Sequence, residues 1–307
     1  MRVREAVRPG TGLALAGVVS FSLTLPMTAL ALRGFGPWIV AGGRCVIAGV
    51  LAICCLAIMR VPLPQRRHWP GLAVVAGGCV LGFPILTTLA LRVSTASHSA
   101  VLVGLLPLAT AIVGARRARQ RQSRRFWLAA ACGAAAVVVF TVLQSGGAPS
   151  AGDLLLFAAL LVCAFGYAEG GRLAKIMPGW QVIAWALVFA LPVTIPVTAI
   201  ALATEPIRFS VPALAGLAYI ALVSQFGGFV VWYRGMAELG VARASQLQLA
   251  QPLLTLVWSV LLLGESLPPL APVTAVIVLL CITVTQRDRL NPTRTRSQHD
   301  AVATAPR

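Results

Sequence analysis

Long apolar runs separated by short polar gaps constrain this chain more than any other feature of its sequence. An α-helix needs about twenty apolar residues to cross the hydrocarbon core of a bilayer. Runs of about that length fill most of the chain, and polar or Pro/Gly-containing breaks separate them. The ten candidate spans, numbered one to ten, lie near residues 11–32, 37–59, 70–91, 95–115, 126–144, 152–171, 180–203, 210–233, 242–263 and 268–286. We therefore predict an all-α integral membrane protein with ten transmembrane helices.

The composition excludes most other classes of protein. Hydrophobic residues make up 58% of the chain and charged residues only 11%, whereas about a quarter of the residues in soluble proteins are charged. The high hydrophobicity excludes a disordered chain, and the short gaps leave no room for a soluble catalytic domain. The sequence contains no phosphate-binding loop, dinucleotide fingerprint or metal-ligand spacing. We therefore expect no enzymatic activity, no cofactor and no metal.

The basic residues set the orientation. With a cytoplasmic N-terminus, 21 Lys and Arg side chains fall on the cytoplasmic side, and only Arg33, Arg92 and Arg208 fall on the other. Positive charge accumulates on the cytoplasmic side of membrane proteins, so both termini are predicted to be cytoplasmic. This bias accounts for most of the net charge of +17 without a nucleic-acid partner. The Arg- and Ala-rich composition is typical of a bacterial chain.

A weak internal repeat divides the chain at an offset of 145 residues. The offset pairs Pro107 with Pro252 and Gly82 with Gly227, and both prolines fall in the fourth span of a five-span half. Five spans are an odd number, so the second half would insert upside down, as in many secondary transporters. The alternative is a chance likeness between two proline-bearing spans. The predicted units are two five-helix repeats and a polar cytoplasmic tail that we expect to be disordered, at residues 1–145, 146–286 and 287–307.

Span nine has the most informative polar pattern. Gln248, Gln251, Thr255 and Trp258 follow i, i+3, i+7, i+10 spacing and share one helical face. Hydrogen-bonding side chains in hydrocarbon either line a cavity or join neighbouring helices, and both readings stay open. Pro252 removes a backbone donor beside this face, as Pro107 does in span four, so each is predicted to break its helix near a binding site.

Other polar groups inside the spans are candidates because their burial in a membrane is costly. Arg44 lies about seven residues after the start of span two, where it would either bind an anion or extend to the interface. Glu169 in span six is a candidate for proton coupling, or else an interfacial partner of Arg172. Gln225 in span eight and Tyr167 in span six are further substrate-binding candidates. His98 at the start of span four and the aromatic pair Trp232 and Tyr233 in span eight are predicted to lie at the membrane interfaces.

The stretch QFGGFVVWYRGMAELGVARASQLQLAQPLLTLVWSVLLLGE (225–265) resembles the second-repeat signature of the EamA family of the drug/metabolite transporter superfamily. Arg44 matches an arginine that is frequent in the second span of that family. The resemblance covers nearly the whole chain and implies a carrier of small metabolites in the plasma membrane, commonly an exporter of amino acids or related compounds. The expected partners are a small-molecule substrate and the bilayer, and a homodimer stays open. A passive facilitator or channel is the alternative, followed by a membrane-embedded lipid-modifying enzyme.

Overall fold

The structure is a computed structural model that describes residues 9–117, 123–144, 150–239, 247–248, 250–267 and 269–289. The described part is helical apart from short connections and a single β-bridge between Phe35 and Ile207. Two segments are π-helical, Ala76–Gly82 and Tyr219–Gly228. The α-helices are α1 Pro9–Ser22, α2 Thr24–Leu32, α3 Pro37–Ile58, α4 Trp69–Val75, α5 Phe83–Ala90, α6 Ala96–Val103, α7 Leu106–Arg117, α8 Arg124–Gln144, α9 Ala151–Leu173, α10 Gly179–Thr204, α11 Val211–Ala218, α12 Phe229–Leu239, α13 Ala250–Leu263 and α14 Leu270–Arg289.

The predicted all-α fold class is confirmed, and six helical segments are long and apolar enough to cross a membrane. These segments are Gly10–Leu32, Pro37–Ile58, Arg66–Ala90, Ala151–Leu173, Gly179–Thr204 and Val211–Leu239. Shorter apolar helices occupy the positions predicted for spans four, five, nine and ten, at Ala96–Thr110, Trp127–Phe140, Ala250–Leu263 and Leu270–Cys281. The described part of the chain is therefore consistent with a multi-pass membrane protein.

Both π-helical segments lie at matching places in the two halves. Ala76–Gly82 interrupts span three between α4 and α5, and Tyr219–Gly228 interrupts span eight between α11 and α12. They contain Gly82 and Gly227, the glycines paired by the repeat offset. Single π-turns within α-helices are rare and are frequent at functional sites, so their paired occurrence directs attention to the neighbouring side chains.

The main helix packing joins the first half of the chain to the second. Helix α3 packs on α10, α8 on α14, and α6 on α13, while α1 packs on α12 and α5 on α9. In terms of spans, these pairs are two with seven, five with ten, four with nine, one with eight, and three with six. Exchanging the halves reproduces the same set of pairs, which is the pattern of a two-fold related interface.

Carboxylates tie the two halves together at one end of the bundle, here called the capped end. Glu205 follows α10 and accepts hydrogen bonds from the backbone N–H groups of Trp38 (3.2 Å) and Ile39 (2.9 Å) at the start of α3. Glu265 follows α13 and accepts from Ala96 (3.0 Å) and Ser97 (2.9 Å) at the start of α6. In each pair the end of one helix meets the beginning of the other, so the two helices run antiparallel. Carboxylates at helix N-termini are favoured by the unsatisfied N–H groups and the helix dipole.

Candidate functional site

Span one is broken at Leu23, between α1 and α2. Two side chains of span nine, Thr255 and Trp258, form hydrogen bonds to Ser22 beside this break. The Thr255 hydroxyl lies 2.8 Å from the carbonyl oxygen of Ser22, and the indole N–H of Trp258 donates to the Ser22 hydroxyl at 3.0 Å. Thr255 is buried. These two members of the polar face of span nine therefore join neighbouring helices, which is the second of the two readings left open by the sequence.

The other two members of that face, Gln248 and Gln251, line a narrow cavity of about 10 Å³. Gln248 is buried, and its Nε2 lies 3.5 Å from Oε1 of Gln251. Span four faces them with apolar groups, among them Val103 and Leu106. The cavity is about large enough for one water-sized molecule.

A second cavity of about 30 Å³, here called the central cavity, adjoins the first and shares Gln251, Val103 and Leu106 with it. Most of the predicted substrate-binding residues meet here. The lining residues are Phe21, Thr24, Leu25, Arg44, Cys79, Phe83, Val103, Leu106, Cys163, Tyr167, Ser224, Gln225, Phe229 and Gln251. They come from both halves of the chain, and none of them is acidic.

Arg44 is the charged group of the central cavity. It lies seven residues into α3, roughly 10 Å along the helix axis, and only 2% of its surface is exposed. The side chain is therefore enclosed by protein and does not extend to the interface. Its Nη2 lies 3.5 Å from the Ser224 hydroxyl, whereas Nε and Nη1 have no hydrogen-bond partner among the described residues. Burying a charge without a partner is strongly unfavourable.

Neutral polar groups from the second half surround the remaining space. Gln225 is 1% exposed, and its Nε2 donates to the carbonyl oxygen of Cys79 at 3.2 Å, which connects the two π-helical segments. The Ser224 hydroxyl lies 2.7 Å from the Thr24 hydroxyl. Tyr167 is buried and contacts the ring of Phe229 edge-on, with 6.0 Å between ring centroids.

Glu169 lies near the end of α9 that is remote from the capped end. Its Oε1 accepts from Nη2 (2.6 Å) and Nε (3.0 Å) of Arg172, one turn further along the helix. It does not line the central cavity. This geometry matches the interfacial pair described above, and a role for Glu169 in proton coupling stays a prediction.

A second buried acid, Asp153, lies at the opposite end of α9 and binds a residue of the first half. His98 Nε2 and Asp153 Oδ1 are 2.6 Å apart, and the imidazole is stacked on Phe140 with 5.2 Å between ring centroids. Asp153 also accepts from the backbone N–H of Ser150, forming a capping box at the start of α9. The sequence gives no signal for the His98–Asp153 pair, because the two residues are 55 positions apart.

The interfacial placement of Trp232 and Tyr233 is wrong. Trp232 is 1% exposed and Tyr233 is fully buried. Trp232 contacts the ring of Phe21, and Tyr233 contacts Phe229. A Trp–Tyr pair near a span end is compatible with either position. Here Trp232 packs against Gly17 of α1, and Tyr233 packs against Gly170 of α9 and Gly179 of α10.

Both predicted helix-breaking prolines lie in the first turn of a helix. Pro107 is the second residue of α7, after the break at Gly104–Leu105, and Pro252 is the third residue of α13. A proline at such a position removes an N–H group that has no partner within its own helix, so it fits without loss of a hydrogen bond.

Sequence reasoning missed Ser22 and Thr24, which border the break in span one. The available signals were Pro26, which follows the break by three residues, and the hydroxyl residues on either side of Leu23. Within the described ranges, no group of three or more His, Cys, Asp or Glu residues is placed to hold a metal ion.

Comparisons with known proteins extend over both halves. A model of the EamA-like transporter family matches residues 8–142 and 150–286. The chain is 42% identical over 271 residues to the "Uncharacterized transporter YdeK" of Bacillus subtilis (strain 168), covering 88% of this chain and 94% of the relative. It is 25% identical over 288 residues to the "Probable terminal-alkyne amino-acid exporter" of Streptantibioticus cattleyicolor, covering 91% and 94%. A protein of known crystal structure shares the fold with a TM-score of 0.62 and 18% identity, over 92% of this chain and 99% of that one.

Proposed function

Because the chain belongs to the EamA-like transporter family, we propose that it is a secondary transporter of a small metabolite in the inner membrane of a bacterial cell. The proposed mechanism is alternating access around the central cavity. The observation that carries this proposal is the position of that cavity, which both halves of the chain line with buried polar groups.

The two halves are proposed to be inverted five-helix repeats. The family model matches each half once. The helix pairs α3–α10 and α6–α13 run antiparallel, and each joins two spans that correspond at the repeat offset, two with seven and four with nine. Inverted repeats of this kind place the substrate at their interface and move as two bodies around it.

The central cavity is closed in this structure. Its 30 Å³ is far below the roughly 300 Å³ at which pockets for small molecules begin. Entry of a metabolite therefore requires the helices around Gln251 to separate. Alternating access provides that separation on one side of the membrane at a time.

The transported solute is proposed to be an amino acid or a related compound, and the physiological direction is proposed to be export. One relative with 25% identity is named as a probable amino-acid exporter. The cavity offers a guanidinium group for a carboxylate and the side-chain amide of Gln251 for a polar substituent, beside the aromatic rings of Phe21 and Phe229.

Uptake into proteoliposomes tests the site. The purified protein is assayed with a panel of radiolabelled amino acids, and Gln251→Leu is expected to lose most of the saturable uptake because a cavity hydrogen-bonding group is gone. Val257→Leu is the matched control, since Val257 lies on the exposed face of the same helix, α13. Full activity of a normally inserted Gln251→Leu variant would contradict the site, and uptake that does not saturate would favour a facilitator.

A further inference from the structure

We propose that Arg44 binds a carboxylate of the transported solute and that the carrier accepts small carboxylates with an apolar body, whether or not they carry an amino group. This inference rests on the proposed transport function and names the class of solute. It starts from the guanidinium group of Arg44, which is buried in the central cavity with two nitrogens unbonded within the described residues.

Five acidic side chains have described partners, and all of these partners lie outside the cavity. None of the five therefore supplies a counter-ion to Arg44. Two accept from backbone N–H groups at the capped end, two pair with arginines, and one pairs with a histidine. In that order they are Glu205, Glu265, Glu169, Glu238 and Asp153. The cavity lining itself contains no acidic residue.

The geometry of the guanidinium group favours a carboxylate. Arginine presents five N–H donors in a planar fork that matches the two oxygens of a carboxylate. Here only Nη2 has a neighbour, the Ser224 hydroxyl at 3.5 Å. A carboxylate brought by the solute would satisfy Nε and Nη1 and would remove the unfavourable burial of an unpaired charge.

The remainder of the central cavity favours an apolar body over a second charge. Phe21, Phe83 and Phe229 contribute aromatic rings, and Gln251 and Tyr167 contribute neutral polar groups. An ammonium group would find no carboxylate among these side chains. The cavity therefore predicts that the carboxylate is required for binding and that the amino group is not.

The electrostatics of the capped end agree with an anionic solute. The three arginines on the side of the protein with few charges, Arg33, Arg92 and Arg208, all line one open basin of about 690 Å³. Its acidic lining residue, Glu205, has both oxygens bonded to backbone N–H groups. A basin of one sign of charge raises the local concentration of the opposite sign.

Four solutes that share a 3-methylbutyl group test the carboxylate and the amino group of an amino acid separately. They are L-leucine, 4-methylpentanoate, which lacks the amino group, L-leucinamide, which lacks the carboxylate charge, and 3-methylbutylamine, which lacks the carboxyl group. Each is added to the purified full-length protein at constant pH and ionic strength, and the melting temperature is measured. Ligands that bind the folded protein raise its melting temperature. We expect L-leucine and 4-methylpentanoate to raise it and the other two to leave it unchanged.

Substitutions of Arg44 test the contact directly. Arg44→Gln is expected to melt at a higher temperature than the wild type without solute, because it removes an unpaired buried charge. It should also bind both carboxylates at least about tenfold more weakly. Arg44→Lys keeps the charge but loses the fork, so it should recover only part of the affinity. Arg60→Gln is the control, because Arg60 is exposed after the end of α3 and lines neither the cavity nor the basin. It should change the affinity by less than about threefold, because exposed charges are screened.

A substitution at Ser224 provides an independent test that leaves Arg44 in place. Ser224→Asp puts a carboxylate next to the guanidinium group, where the serine hydroxyl now lies. This variant should melt at a higher temperature than the wild type and should no longer respond to 4-methylpentanoate. Ser224→Asn, which has the same size and no charge, should keep most of the response.

Several results would overturn the inference. One is an equal response to 3-methylbutylamine and 4-methylpentanoate, and another is a wild-type response of Arg44→Gln to either carboxylate. A lower melting temperature of solute-free Arg44→Gln would show that the chain already supplies a counter-ion. No response of the wild type to any of the four solutes would also count against it. Saturable uptake of L-leucinamide without uptake of 4-methylpentanoate would leave the transporter proposal standing and remove the role of Arg44.

Discussion

The two halves of the chain match the same family model but differ strongly in net charge. Of the eight acidic residues, only Glu5 lies in the first half, whereas the first half contains most of the arginines. The contacts between the halves follow this division: Glu205 and Glu265 bind the backbone at the start of first-half helices, and Asp153 binds His98. At the cavity, the first half supplies the guanidinium group of Arg44 and the hydroxyl of Thr24, and the second half supplies the amides and the other hydroxyls. The packing between the halves is thus symmetric, whereas their chemistry is not.

The largest effect is expected at Glu169. This acidic residue belongs to the second half and lies within span six, at the end remote from the capped end. If Glu169 carries the coupling proton, Glu169→Gln should abolish uphill transport driven by a pH gradient, because a glutamine amide cannot take up and release a proton. Exchange of labelled for unlabelled solute should continue. Both activities are measured in proteoliposomes.

The matched control is Glu238→Gln. Glu238 forms a comparable ion pair within one helix, with its Oε1 3.4 Å from Nε of Arg234, but the pair is exposed. Unchanged uphill transport by Glu169→Gln would exclude Glu169 from coupling and leave it as a partner of Arg172.

An intermediate effect should distinguish the two walls of the narrow cavity. Gln248→Leu removes a hydrogen-bonding group from the second-half wall and should lower transport by up to about tenfold, the usual contribution of one hydrogen bond. Val103→Ile adds one methylene to the facing first-half wall and should lower it by less than about threefold, since one methylene has a small effect in an apolar pocket.

Initial rates of saturable uptake measure both variants, and equal amounts of inserted protein must be compared. Equal losses in the two variants would show that recognition does not favour the second half.

The smallest effects are expected at the caps of the capped end. Glu265→Gln and Glu205→Gln each weaken two hydrogen bonds from backbone N–H groups and remove a favourable charge at a helix N-terminus. Each change should lower the stability by about 0.5–2 kcal/mol, seen as a lower melting temperature of the detergent-purified protein. Similar losses are expected, because the two caps have nearly the same distances. A loss confined to one variant would mean that the two caps are not equivalent.

Much of this arrangement follows from the sequence alone. The apolar runs predicted the spanning helices, and the cost of burying polar groups identified Arg44, Gln225 and Gln251, which the structure brings to one cavity. The family resemblance is confirmed by the matches to both halves. These features depend on local composition and on motifs within a single span, which is why a single sequence is sufficient for them.

The contacts between distant segments could not be predicted in this way. Thr255 was grouped with Gln251 because both lie on one helical face, but its partner Ser22 is 233 residues away. Trp232 was placed at an interface because hydropathy does not distinguish a face toward lipid from a face toward another helix. The break at Leu23 precedes Pro26, the third residue of α2, which has no N–H group to bond to the carbonyl oxygen of Ser22.

The hydrogen bonds at the capped end also affect the equilibrium between conformations of the protein. Four hydrogen bonds to Glu205 and Glu265 connect the halves there, whereas Glu169–Arg172 and Glu238–Arg234 at the opposite end each lie within one helix. If the capped end opens only when both caps dissociate, the equilibrium population is biased toward conformations closed at that end. A solute can reverse such a bias only through its difference in affinity for the two conformations, and inverting a 1:99 ratio requires about 5.5 kcal/mol. Glu205 and Glu265 would then set the resting population as much as the cavity sets the affinity.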